Sequence, residues 1–153
     1  MKYDILLFRF LIGIMSLLVL NSCNPESKPI VYGEDKCEFC RMSIVDQRFG
    51  GEIVTQKGKV YKYDAVECMV NYIDKHVEDE SKLKLVLTNS YDSPGKLTDV
   101  NLCYYLISSN MPSPMGMFLN PFKSLEAATV TQKEQSGAIL NWKELRADFM
   151  AKR

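Results

Sequence analysis

Histidine and tryptophan each occur once in these 153 residues, and neither sign of charge is in surplus, with 19 basic residues against 19 acidic ones. The missing basic surplus excludes a surface built to neutralise the phosphate backbone of nucleic acid, so no nucleic-acid partner is expected. A lone histidine, His76, with no obvious serine or carboxylate partner, is poor material for a nucleophilic triad. The glycines, 8 in all, form no phosphate-cradling loop of the P-loop or dinucleotide-binding type. The acidic residues are scattered, as on a solvated surface. No enzyme constellation emerges, and the chain is read as a non-enzyme.

One apolar run is present, from Phe10 to Leu20, behind the positive charges of Lys2 and Arg9. It is short for a bilayer span. Leu20-Asn21-Ser22-Cys23 closes it with a small residue before a cysteine, the layout of a bacterial secretory signal over residues 1–22. The closing tetrapeptide resembles a lipobox, in which Cys23 is diacylated and becomes the mature N-terminus. A lipid-anchored protein of the bacterial cell envelope, facing the periplasm, is the expectation. Loss of the segment removes Lys2, Arg9 and Asp4 and leaves a charge near −1 on roughly 130 residues, enough for one domain.

Residues 23–36 are rich in Pro, Glu, Lys and Asp without periodicity, and read as a tether. A folded domain over 37–153 follows. Gly51 to Gln56 and Lys59 to Asp64 are β-rich runs joined at Lys57-Gly58, a hairpin signal. Asp64, with Glu67 three residues on, has the pattern of a capping box. Ala65, Val66, Met69, Val70, Ile73 and Val77 give the helix an apolar face. Leu83 to Thr88 reads as a strand. The order then repeats: strands over Leu102–Ser108 and Met115–Leu119, a helix from Ser124 to about Gln135 stopped by Gly137, and a strand over Ala138–Leu140. A final helix spans Trp142 to Met150, begun by Asn141 with Glu144. The fold class is α+β, with two ββαβ halves, about 37–92 and 98–153, packed together.

The chemistry concentrates in sulfur. Cys37-Glu38-Phe39-Cys40-Arg41-Met42 puts two thiols and a thioether within six positions. Soft donors of this kind suit soft metals, Cu(I) above all. Structural zinc sites use cysteine, histidine and carboxylate, so Met42 favours copper over zinc. Cys40 and Met42, two apart, share a side of an extended backbone, and Cys37 can meet Cys40 across a turn. Met111, Met115 and Met117 crowd a second stretch, Asn110 to Met117, where strands ordinarily prefer β-branched residues. Methionines can simply fill irregular gaps in a core, but with Cys40 and Met42 elsewhere in the chain the metal reading leads. Cys68 reads as buried in the first helix, Cys103 as structural, and His76 as a favourable partial charge at a helix C-terminus.

These segments together resemble the NosL family of copper-binding accessory lipoproteins for nitrous oxide reductase. The matching residues are Cys37-x-x-Cys40-x-Met42-x-Ile44, Gly58-Lys59-Val60-Tyr61-Lys62-Tyr63-Asp64 leading to Glu67-Cys68-Met69, Tyr104-Tyr105-Leu106, Pro114-Met115-Gly116, and the Gly137 to Leu145 end with Trp142. The resemblance implies the paired ββαβ fold, similar to that of organomercurial lyase, and a chaperone for Cu(I) acting in denitrification. It implies delivery to nitrous oxide reductase or its maturation machinery. Carried over by position, Cys40, Met42 and Met115 are ligand candidates, joined by Cys37 and Met117. Many family members have glycine where this chain has Arg41. Two other readings compete: a thiol–disulfide oxidoreductase using Cys37 and Cys40, which needs a lowered thiol pKa, and an adaptor lipoprotein whose cysteines form disulfides.

Overall fold

A computed structural model describes residues 24–151. The expected signal segment and the expected lipid-bearing Cys23 lie outside the described residues. Seven strands and three α-helices follow in the order β1 (Gly51–Thr55), β2 (Val60–Tyr63), α1 (Val66–His76), β3 (Leu83–Ser90), β4 (Ser93–Asp99), β5 (Tyr104–Ile107), β6 (Leu119–Phe122), α2 (Leu125–Gln135), β7 (Ala138–Asn141) and α3 (Trp142–Ala151). They build two antiparallel sheets, ordered β2-β1-β3-β4 and β6-β5-β7. The expected strand–strand–helix–strand order is present twice. Among the described residues, no helix is long and apolar enough to cross a membrane.

The β1–β2 hairpin turns where Gly58 takes a positive φ of 78° and its N–H reaches the Thr55 carbonyl at 2.9 Å. Glycine adopts that backbone without steric cost. Helix α1 lies between the two halves. Cys68, Met69 and Ile73 pack in one apolar cluster with Ile44, Ile53 and Tyr63, while Val66 and Val70 pack in another with Tyr105, Leu119, Leu145 and Phe149. Burial of each large aliphatic side chain contributes about 1.5–3 kcal/mol, so α1 is fixed from both sides. Ser124 caps α2 by accepting the Ala127 N–H at 3.1 Å. Asn141 and Glu144 form a reciprocal capping box at α3, with bonds of 3.0 and 2.9 Å.

Several boundaries differ from expectation. Residues 28–36, assigned to the tether, are packed against the domain: Ile30 is 8% exposed, and the Lys28 N–H meets the Glu52 carboxylate at 3.1 Å. Lys62 Nζ grips the Pro29 carbonyl and Asp35, at 2.7 and 2.6 Å. Strand β4 falls at the seam placed between the halves and pairs with β3. Its Pro94 and Gly95 disguise it, and both are tolerated because β4 is an edge strand. The strand expected over Met115–Leu119 starts at Leu119 instead, because Gly116 and Phe118 have φ of 71° and 60° and coil the chain before it. Helix α1 is capped at Ala65 without a side-chain bond, so the Asp64–Glu67 box does not form. Of the apolar residues expected on α3, Leu145 and Phe149 are buried, Trp142 is half-buried and Met150 is exposed.

Candidate metal centre

Residues 35–44 fold back on themselves as a knuckle. The Ile44 N–H reaches the Asp35 carbonyl at 2.9 Å, the Cys37 N–H the Met42 carbonyl at 2.8 Å, and the Arg41 N–H the Cys37 carbonyl at 3.0 Å. The tight return requires a left-handed residue, and Arg41 supplies it at φ 66°. Such a backbone costs a non-glycine residue roughly 1–2 kcal/mol. An exposed ion pair with Glu38, at 3.2 Å, holds the arginine side chain back over the turn. The Glu38 N–H bonds the Lys62 carbonyl at 2.8 Å, pinning the knuckle to the end of β2. Two residues past β2 the chain enters α1, whose third residue is Cys68.

This docking brings three thiols together. The Sγ atoms of Cys37, Cys40 and Cys68 all lie within 4.8 Å of one another. Cys37 and Cys68 are 0% and 1% exposed, and Cys40 is half-buried. Among the described residues, all four cysteines are free thiols. The fourth, Cys103, packs with Tyr105 in the other apolar cluster and takes no part in the trio.

The three thiols do not ionise alike. A hydrogen bond from Cys68 holds the Cys37 thiol down to about 5, against the effect of burial, and backbone N–H groups of Cys40, Asp64 and Phe39 assist. Cys40 is pushed up, first by burial. Cys68 is pushed well above the ordinary thiol range by its bond to Cys37 and by burial. Cys37 is therefore the thiol of the trio that ionises most readily, and metal binding, which needs thiolates, releases protons. Burial also raises two neighbouring carboxyls, Asp64 to about 6 and Glu67 to about 7. Glu67 accepts a 2.5 Å bond from Ser113 Oγ, which itself accepts the Leu119 N–H at 3.2 Å. The loop carrying Met115 is thereby tied to the helix turn carrying Cys68.

Of the sulfur residues singled out in the sequence, Cys37 and Cys40 meet. Met115 packs against the apolar cluster that contains Cys37 and Cys68 and against which Cys40 also packs. Met42 and Met117 are 50% and 38% exposed. The left-handed Arg41 interrupts the extended backbone on which a shared side for Cys40 and Met42 depended. Cys68 reads from the sequence as a buried residue within a family-matching segment, and is not among the ligand candidates there. A thiol on the apolar face of a helix, next to Met69, looks like core; what marks it is its position just past the strand on which the knuckle lands. His76 is not in the cluster and stacks on Tyr72, with ring centroids 5.1 Å apart.

The fold and this trio define an α+β domain with a buried thiol cup able to hold a soft metal ion. The NosL family model matches residues 30–150, and the chain belongs to the NosL family. Among solved structures, the copper chaperone NosL from Shewanella denitrificans matches with a TM-score of 0.66 at 16% identity, over 79% of this chain and 96% of that one. At that identity the likeness is one of fold. A search of curated proteins gives no match.

Proposed function

We propose that this protein is a copper chaperone that binds Cu(I) as cargo through cysteine and methionine sulfur. The observation that carries the reading is the meeting of three thiol sulfurs within 4.8 Å at a half-buried edge. Thiolates favour Cu(I), and methionine thioethers stay neutral and soft in the same role. Cys37 and Cys40 supply thiolate ligands. Met115 lies at the same apolar cluster, and Met42 and Met117 offer thioethers at the surface. Family membership supports delivery to nitrous oxide reductase or its maturation machinery. The signal-like segment supports a lipid anchor at Cys23 on the periplasmic face of the cell envelope.

Mixing the Cu(I)-loaded chain, in detergent, with copper-free nitrous oxide reductase tests the cargo and the partner together. Copper recovered on the reductase after separation supports the proposal. Copper that stays on the chain, while the same reductase accepts free Cu(I), overturns direct delivery.

Dithiol exchange at Cys37 and Cys40 is a second reading, favoured by the lowered Cys37 thiol. An attacking thiolate also needs access, and Cys37 has none at 0% exposure. Insulin reduction by the reduced chain at a rate above that of free thiol would restore it.

A further inference from the structure

The polar stretch ahead of the knuckle is fastened to the domain, and this limits where an anchor at Cys23 can hold it. The Lys28 N–H is bound by the buried Glu52 carboxylate at 3.1 Å, the Pro29 carbonyl by Lys62 Nζ at 2.7 Å, and Ile30 lies in the core. Only five residues of chain, 28 − 23, therefore separate Cys23 from the first fixed point. Fully extended they reach about 18 Å, against about 45 Å for a free tether over residues 23–36. Residues 24–28 line one cleft with residues 56–58, the turn of the β1–β2 hairpin. The leash thus meets the domain beside that turn.

The thiol cup sits at the other end of the same hairpin. Val54 pairs with Val60 at the turn end of the ladder and Gly51 with Tyr63 at the far end, about 10 Å away by strand rise. The knuckle lands on Lys62 through the Glu38 N–H. A Cβ at Gly51 would meet Met69 Sδ at 3.3 Å, so the first turn of α1, which carries Cys68, lies over that far end. Helix α1 then runs back toward the turn, where its last residue, His76, shares a cleft with Thr55 and Tyr61. At the turn end Lys28, Lys57 and Lys59 are exposed. Glu26 lies in the cleft of the leash, and Glu78 and Asp79 line the neighbouring one.

From this we propose that the turn end of the β1–β2 hairpin is the membrane-facing surface, resting on acidic lipid headgroups through Lys28, Lys57 and Lys59, and that the thiol cup is held at the end remote from the bilayer. The proposal rests on the reading of Cys23 as lipid-bearing and deepens it. Acyl chains supply the attachment. Lysines close to an acidic bilayer are drawn to it, and these three set which side of the domain turns down. Glu26, Glu78 and Asp79 leave this end without the charge to bind a membrane by itself, so the lysines act only on a domain already anchored. A soluble partner can then reach the cup from the aqueous side.

The test uses the full chain purified from membranes and reconstituted in vesicles of phosphatidylethanolamine and phosphatidylglycerol that carry a nitroxide quencher on the headgroup. Gln56→Trp reports on the turn, and Val45→Trp, one residue past the knuckle and 66% exposed, reports on the cup end. The emission of Trp142, common to both chains, is subtracted with wild type. Since the ladder between the two ends rises about 10 Å, Gln56→Trp should be quenched at least about threefold more than Val45→Trp. Equal quenching, or stronger quenching of Val45→Trp, overturns the proposal. Adding Lys57→Glu and Lys59→Glu to Gln56→Trp should reduce its quenching on these vesicles and leave it unchanged on phosphatidylcholine alone. Quenching that ignores the added charges overturns the role of the lysines. An intact mass without a diacylated Cys23 overturns the anchor reading, and the proposal with it, whereas Cu(I) binding is untouched by any of these results.

Discussion

Glu67 offers the sharpest energetic prediction. It is 1% exposed, its Oε1 accepts from Ser113, and its Oε2 is buried without a hydrogen-bond partner. Burial raises its carboxyl from 4.5 to about 7. A carboxyl raised on folding is held protonated by the native state, so the native state binds more protons than the unfolded chain between those values. Stability from this group is present below the unfolded value and is lost as pH rises through about 7. The full displacement corresponds to about 3 kcal/mol, of which about 2.5 kcal/mol falls between pH 5 and 8. Glu67→Gln keeps the acceptor for Ser113 and removes the titration. Urea unfolding of both chains at pH 5 and pH 8 should show the variant gaining about 2.5 kcal/mol on wild type across that interval. Cys37 works in the opposite direction, its lowered thiol adding stability as pH rises, and Asp64 shares the sign of Glu67. Both cancel in the difference between the two chains. A pH-independent gap would refute the claim that the fold holds Glu67 as the neutral acid.

Other outcomes follow from the backbone. A Cβ at Gly137 would sit 2.2 Å from the Ile107 carbonyl oxygen, at a φ of 108°. Gly137→Ala should therefore cost more than about 3 kcal/mol by thermal or urea unfolding, separating α2 from β7. Arg41→Gly relieves the left-handed strain against the entropy glycine brings, and should raise stability by up to about 1 kcal/mol with Cu(I) affinity unchanged. Arg41→Val, β-branched at the same φ, should lower stability by about 1–2 kcal/mol and weaken Cu(I) binding as the knuckle opens.

What could be read in the sequence was what local chemistry dictates. The Lys57-Gly58 hairpin, the Ser124 cap and the Asn141–Glu144 box are near-neighbour interactions, and each is where the pattern puts it. Strand β4 was hidden because its stability comes from β3, whereas Pro94 and Gly95 speak locally against a strand. Residues 28–36 are hidden for the same reason: Lys28 and Asp35 sit in a polar stretch and are held by partners 24 and 27 residues away. At the site, the knuckle was legible from Cys37 and Cys40. Cys68 was not, since nothing in its own helix distinguishes a ligand from a core thiol. Its place in the thiol trio comes from the landing of the knuckle on β2, a contact made by the Glu38 N–H with the Lys62 carbonyl.

The proposed function requires the thiol cup to prefer Cu(I) over harder ions. The most direct measurement is a competition: the reduced full chain in detergent, equimolar Cu(I) and Zn(II), and a chelator series for each ion. One Cu(I) should be bound per chain, with Zn(II) displaced. Stoichiometric Zn(II) retained in the presence of Cu(I) would contradict it.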